Sequence, residues 1–82
     1  MSDKTVRDAV LDTVLNQIDT GDPPEARATY DRLIDGGASN SQALQLMGAA
    51  LRVEMTRMLT DSSPFDNAKY AAMLAKIKAP EA

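Results

Sequence analysis

Histidine and cysteine are both absent from the 82 residues. Without thiolate or imidazole, the usual zinc ligand sets and the familiar nucleophile–base arrangements cannot be assembled. The chain has no disulfide staple either, which suits a reducing cytoplasm. Tryptophan is missing, and Tyr30, Phe65 and Tyr70 are the only aromatics. The core must therefore be aliphatic, drawn from Leu, Ile, Val, Ala and Met. No apolar run approaches the roughly 18 residues that a membrane span needs. Met1-Ser2-Asp3-Lys4 is polar with no apolar stretch behind it, so no signal peptide is expected.

Positive charge is also scarce. Residues 1–35 hold eight acids against four bases, and residues 36–82 hold four against five. An acidic first half lacks the clustered Lys and Arg of a nucleic-acid footprint. It reads as a solvated acidic face, with an acidic docking surface as the sharper alternative.

What the sequence does have is four helix-start signals: Ser2 or Thr5, Asp22-Pro23-Pro24-Glu25, Ser39-Asn40-Ser41-Gln42 and Ser63-Pro64-Phe65-Asp66. Each offers a side-chain acceptor where a helix leaves backbone N–H groups unpaired. They predict helices over about 3–19, 23–35, 40–60 and 65–78, with a frayed tail at 79–82. In the first, Val6, Val10, Val14 and Ile18 form a stripe flanked by Leu11 and Leu15, and Asp3 and Arg7 form an i,i+4 pair. In the second, Ala26, Tyr30, Leu33 and Ile34 form the stripe, and one glycine of Gly36-Gly37 takes a left-handed cap.

The third predicted helix is the longest and the most apolar. Gln42, Gln45, Arg52 and Thr56 make a narrow polar stripe, while leucines, methionines, alanines and Val53 fill most of the remaining circumference. Such a helix is normally the centre of a bundle. Gly48 inside it carries a propensity cost of about 0.5–1 kcal/mol, which suggests a close helix–helix approach. In the fourth, Asp66 as N-cap puts Phe65 and Tyr70 at hydrophobic-staple spacing, and Lys76 and Lys78 favour the C-terminus. The expected fold is all-α: one domain over 1–82, a compact four-helix bundle around the third helix.

No catalytic, cofactor-binding or metal-binding residue is predicted. Glu54, the lone acid within the third helix, is expected to pair with Arg57 at i+3 or with an arginine or tyrosine from another helix. Glu54 with Tyr30 or Tyr70 would be the only acid–base set available to an enzyme. Residues 30–51 have the rhythm of a helix-turn-helix, but the second helix offers mostly Leu, Met and Ala where a groove reader offers Arg, Lys, Asn or Gln. Leu33-Ile34-Asp35-Gly36-Gly37-Ala38 with Ala43-Leu44 faintly resembles ubiquitin-associated-type domains, departing from them at Ala38, where those carry a bulky residue.

The ordered set Asn16-Gln17, Asp22-Pro23-Pro24-Glu25, Arg32-Leu33, Gly37, Ala43, Glu54, Phe65-Asp66 and Tyr70 resembles a group of short, uncharacterised bacterial helical proteins. The resemblance spans most of residues 10–77 and implies a bacterial cytoplasmic helical protein, with no activity or ligand to carry over. The expected function is a small non-enzymatic protein-interaction module — adaptor, subunit or inhibitor — that binds a protein partner or its own copy, with a homodimer possible. The alternative is a nucleic-acid-linked regulator using residues 30–51.

Overall fold

The computed structural model describes residues 6–79, with side chains from Asp8 onward. Four helices account for most of them: α1 (Val6–Thr20), α2 (Pro24–Asp35), α3 (Asn40–Asp61) and α4 (Asn67–Lys76). There is no strand among the described residues. The chain is an all-α four-helix bundle, as the start signals imply. The expected start of the first helix before Val6, and its Asp3–Arg7 pair, lie outside the described residues.

Capping chemistry sets most boundaries. Thr20 bonds back to the Asn16 carbonyl, and Gly21, at φ +71°, lets the Asp22 N–H reach the Gln17 carbonyl. Helix α1 therefore runs one residue past Asp19. Helix α2 begins at Pro24, where a missing N–H costs nothing, but its N-cap is the extended Pro23 and no side chain caps it. The expected start at residue 23 shifts because Pro24 keeps its predecessor out of helical geometry.

At the other end of α2, Gly37 takes the left-handed conformation. The Gly37 and Ala38 N–H groups then bond the Ile34 and Leu33 carbonyls, a Schellman motif. Ala38 buries itself beside Leu33, the apolar contact that accompanies that motif.

Helix α3 opens with a complete capping box. Ser39 Oγ accepts from the Gln42 N–H at 3.1 Å, and Gln42 Oε1 accepts from the Ser39 N–H at 2.8 Å. It closes on Ser62, a non-glycine residue at φ +52°. Helix α4 starts at Asn67, two residues later than expected, because Asp66 stays extended and accepts from the Lys69 N–H. Phe65 and Tyr70 meet edge to face, with ring centroids 5.6 Å apart, which completes the expected staple.

Helix α4 ends at Lys76 and leaves Lys78 beyond it. Arg32 binds the carbonyls of Leu74 and Ile77, and Ile77 turns extended. Ala79 is not frayed: it packs on the core and lies against Gly36, where a Cβ would come within 2.8 Å.

One core joins the four helices. Val10 and Val14 from α1, Ala26 and Leu33 from α2, Ala43, Met47 and Leu51 from α3, and Tyr70 and Leu74 from α4 are buried in it. Helix α3 touches the other three helices, as expected of a centre, but so does α2. Three expected stripe residues stand outward instead: Leu15 is 47% exposed, and Ile34 and Val53 are exposed too. Val10 lies against Gly48, and Thr13 and Gln17 share a cleft with Leu51 and Met55, so α1 and α3 run in the same direction. The missing Cβ at Gly48 is what lets them approach: an added one would sit 3.2 Å from Val10 Cγ1.

Candidate functional site

Glu54 is the one fully buried carboxylate among the described residues. It faces the core side of α3, one turn from Arg57, and the two form a forked pair. Arg57 Nε donates to Oε1 at 2.7 Å and a terminal nitrogen donates to Oε2 at 2.6 Å. The Asp66 N–H adds a third bond to Oε2 at 2.7 Å. Hydrogen bonds from Arg57, then the Asp66 N–H, hold the carboxyl down to about 2 against the opposing pull of burial. The same pair raises the Arg57 guanidinium further above its ordinary value.

Arg57 also donates to Ser63 Oγ at 2.7 Å and to the Pro64 carbonyl at 2.9 Å. The expected Glu54–Arg57 pair is therefore part of a larger clamp that fastens the α3–α4 loop and the start of α4. Glu54 thus accepts three hydrogen bonds, all from groups inside the fold. A buried ion pair of this kind fixes geometry more surely than it adds stability.

The tyrosines do not join Glu54. Tyr70 is fully buried and donates to Gln17 Oε1 at 2.7 Å, tying α4 to the end of α1. Burial pushes its hydroxyl up to about 12. Tyr30 donates to Asn40 Oδ1 at 2.6 Å, across the α2–α3 turn. The acid–base set that the sequence allowed is not assembled: each hydroxyl serves a different helix joint. Among the described residues no three acids come together in a way that could hold a metal ion, and no helix is long and apolar enough to cross a membrane.

A nucleic-acid interface would need Arg27, Arg32, Arg52 and Arg57 on one face. Instead Arg57 is held in the clamp and Arg32 caps the C-terminus of α4. Arg27 pairs with Asp31 along α2 at 3.5 Å. Of these four arginines, Arg52 alone makes no hydrogen bond or ion pair among the described residues. In the helix-turn-helix-like stretch, the second helix turns Ala43, Leu44, Met47, Ala50 and Leu51 into the core.

A groove also lies between the parallel α1 and α3. Its space is about 130 Å³, lined by Val10, Leu11, Gln45, Gly48, Ala49 and Arg52. The surface continues along α3 past Val53, 58% exposed, and Thr56. The floor is apolar because Gly48 and Ala49 present almost no side chain. Arg52 stands at its edge.

Sequence reasoning missed three residues that set these positions. Arg32 acts on carbonyls 42 and 45 residues away, a pairing with no local signal. Ala38, noted in the sequence only as small where ubiquitin-associated-type domains carry a bulky residue, is buried with Leu33; the Gly36-Gly37 pair before it was the available signal. Ser62 adopts a glycine-like conformation with no glycine to announce it.

No protein-family model, curated protein or solved structure matches this chain.

Proposed function

We propose that this chain is a small, non-enzymatic helical interaction module, an adaptor, subunit or inhibitor of the bacterial cytoplasm, that presents its α1–α3 face to a protein. The observation that supports it is the continuity of that face. Leu11, Ala49 and Val53 border a groove with a small-residue floor. Scattered exposed apolar residues are normal on any surface, whereas contiguous ones beside a groove are typical of contact sites. The chain's polar chemistry points the same way. Glu54, Tyr70 and Arg32 are all engaged in holding helices together, so recognition at this groove falls to its own lining, Leu11, Gln45, Ala49 and Arg52 among them.

The test is an affinity pull-down of the tagged protein from nuclease-treated native lysate, read by mass spectrometry and paired with light scattering. A stoichiometric protein partner, or a defined self-assembly, supports the module. A monomer in light scattering that captures no protein removes it. Recovery that disappears with nuclease would transfer the reading to a nucleic-acid-linked regulator.

A further inference from the structure

A cleft of about 420 Å³ lies where the end of α1, the α1–α2 turn, α3 and the start of α4 meet. That size falls within the roughly 300–1,000 Å³ of small-molecule sites, which combine an apolar lining with a few placed polar groups. Pro23, Leu51, Met55 and Phe65 supply the apolar lining here, and Met55 and Phe65 are only half-buried. Gln17, Asp22 and Asn67 supply the polar groups. The cleft shares no lining residue with the α1–α3 groove.

Its walls are held from behind, and its polar groups are left unspent. The Tyr70 hydroxyl occupies Gln17 Oε1 at 2.7 Å, while the N–H groups of that amide make no bond among the described residues. Phe65 stands edge to face on Tyr70. On either side of Phe65, the Glu54–Arg57 clamp grips the Pro64 carbonyl and the Asp66 N–H. Asp22 heads the Asp22-Pro23-Pro24-Glu25 start signal, yet no side chain caps α2. Its backbone N–H bonds the Gln17 carbonyl at 3.2 Å, and its carboxylate makes no hydrogen bond or ion pair among the described residues. Asp22 is also the only acid or base in the lining.

We propose that this cleft binds a small aromatic amine in its protonated form. The ring packs on Leu51, Met55 and Phe65, the ammonium faces the Asp22 carboxylate, and an acceptor on the molecule takes an amide N–H of Gln17 or Asn67. A thioether and a phenyl ring both favour an aromatic neighbour over an aliphatic one of equal size. A carboxylate with no base beside it selects a cation and repels an anion. Because Asp22 is exposed, its share of the affinity is modest, and the apolar wall supplies most of the binding. The inference is independent of the interaction-module reading, and the pull-down does not bear on it.

Titration of the intact chain with tyramine and with benzylamine, followed by amide and methionine methyl chemical shifts, tests it. The controls are para-ethylphenol, which lacks the ammonium, and para-hydroxyphenylpropanoate, which reverses the charge. The expected result is saturable shifts at the Gln17 side-chain amide, Met55, Phe65 and Asn67, with tyramine dissociation in the millimolar range or below. Tyramine should bind roughly threefold to fivefold more tightly than para-ethylphenol, the range of an exposed ion pair, and the anion more weakly still. Asp22→Asn should abolish the preference of tyramine over para-ethylphenol and leave the thermal melt close to that of the parent chain. No saturable shift with either amine at millimolar concentration overturns the proposal. So do shifts centred on another face, equal binding of all three phenols, or a preference for tyramine that survives in Asp22→Asn.

Discussion

Replacing Gly48 with alanine separates two opposing effects at the α1–α3 contact. Alanine in place of glycine inside a helix is worth about 1 kcal/mol in its favour from propensity alone. Against this, the new Cβ would lie 3.2 Å from Val10 Cγ1 and 3.8 Å from Leu11 Cδ2. Comfortable carbon contacts lie at about 3.5–4.0 Å. Val10 is 3% exposed and β-branched, so its χ1 has little freedom in a helix and α1 itself must shift. Overpacking of that kind costs about 1–3 kcal/mol. Gly48→Ala should therefore be neutral to destabilising by about 2 kcal/mol in the parent chain.

In a Val10→Ala background the obstructing methyl is gone, and Gly48→Ala should stabilise by up to about 1 kcal/mol. The double-mutant cycle then shows a coupling of about 1–3 kcal/mol. Urea unfolding of the four proteins by circular dichroism measures it. Additivity within about 0.5 kcal/mol, or a Gly48→Ala that stabilises the parent chain by the full propensity gain, would refute the close approach.

Glu54 has a folded-state pKa depressed from 4.5 to about 2, so its contribution to stability is complete above pH 4.5 and is lost as pH falls towards 2. An acid-unfolding series should show that limb, and Glu54→Gln should flatten it while lowering the melting temperature at neutral pH. Tyr70 has the opposite sign: its pKa is raised from 10.0 to about 12, so its contribution holds below pH 10 and declines as pH approaches 12. Tyr70→Phe should remove that alkaline limb in thermal melts and cost about 1 kcal/mol at neutral pH for the lost bond to Gln17. Ser62→Gly relieves a left-handed residue at φ +52° and should stabilise by about 0.5–1 kcal/mol in urea unfolding.

How much of this was legible in the sequence followed the range of each interaction. Capping is local, so Ser39 with Gln42, Asp66, and a left-handed cap within Gly36-Gly37 could be read directly, and Arg57 at i+3 was among the partners expected of Glu54. The Asp66 N–H that completes the Glu54 clamp could not, because it depends on how the 62–66 loop returns to α3. The end of α4 was misplaced for a similar reason: the residues that stop it are its own, but the group that binds its last carbonyls is Arg32 on α2. Periodicity found the α1 stripe but overestimated its width, since α1 buries Val10 and Val14 and leaves Leu15 outward. Of the candidate site, the apolar excess of α3 and the acidity of the first half were both visible. That α3 borders a groove with Leu11 of α1, with Arg52 at its edge, required the parallel packing that Gly48 permits.

A dilution series, without and with native lysate, followed by backbone amide chemical shifts tests the central claim most directly, that the α1–α3 face is the contact surface. The account predicts shifts, on concentration or on adding lysate, centred on Leu11, Leu15, Ala49, Arg52 and Val53, with the Glu54–Arg57 clamp and Tyr70 nearly unmoved. Shifts centred on α2 and α4 instead, or none at any concentration and none on adding lysate, would contradict it.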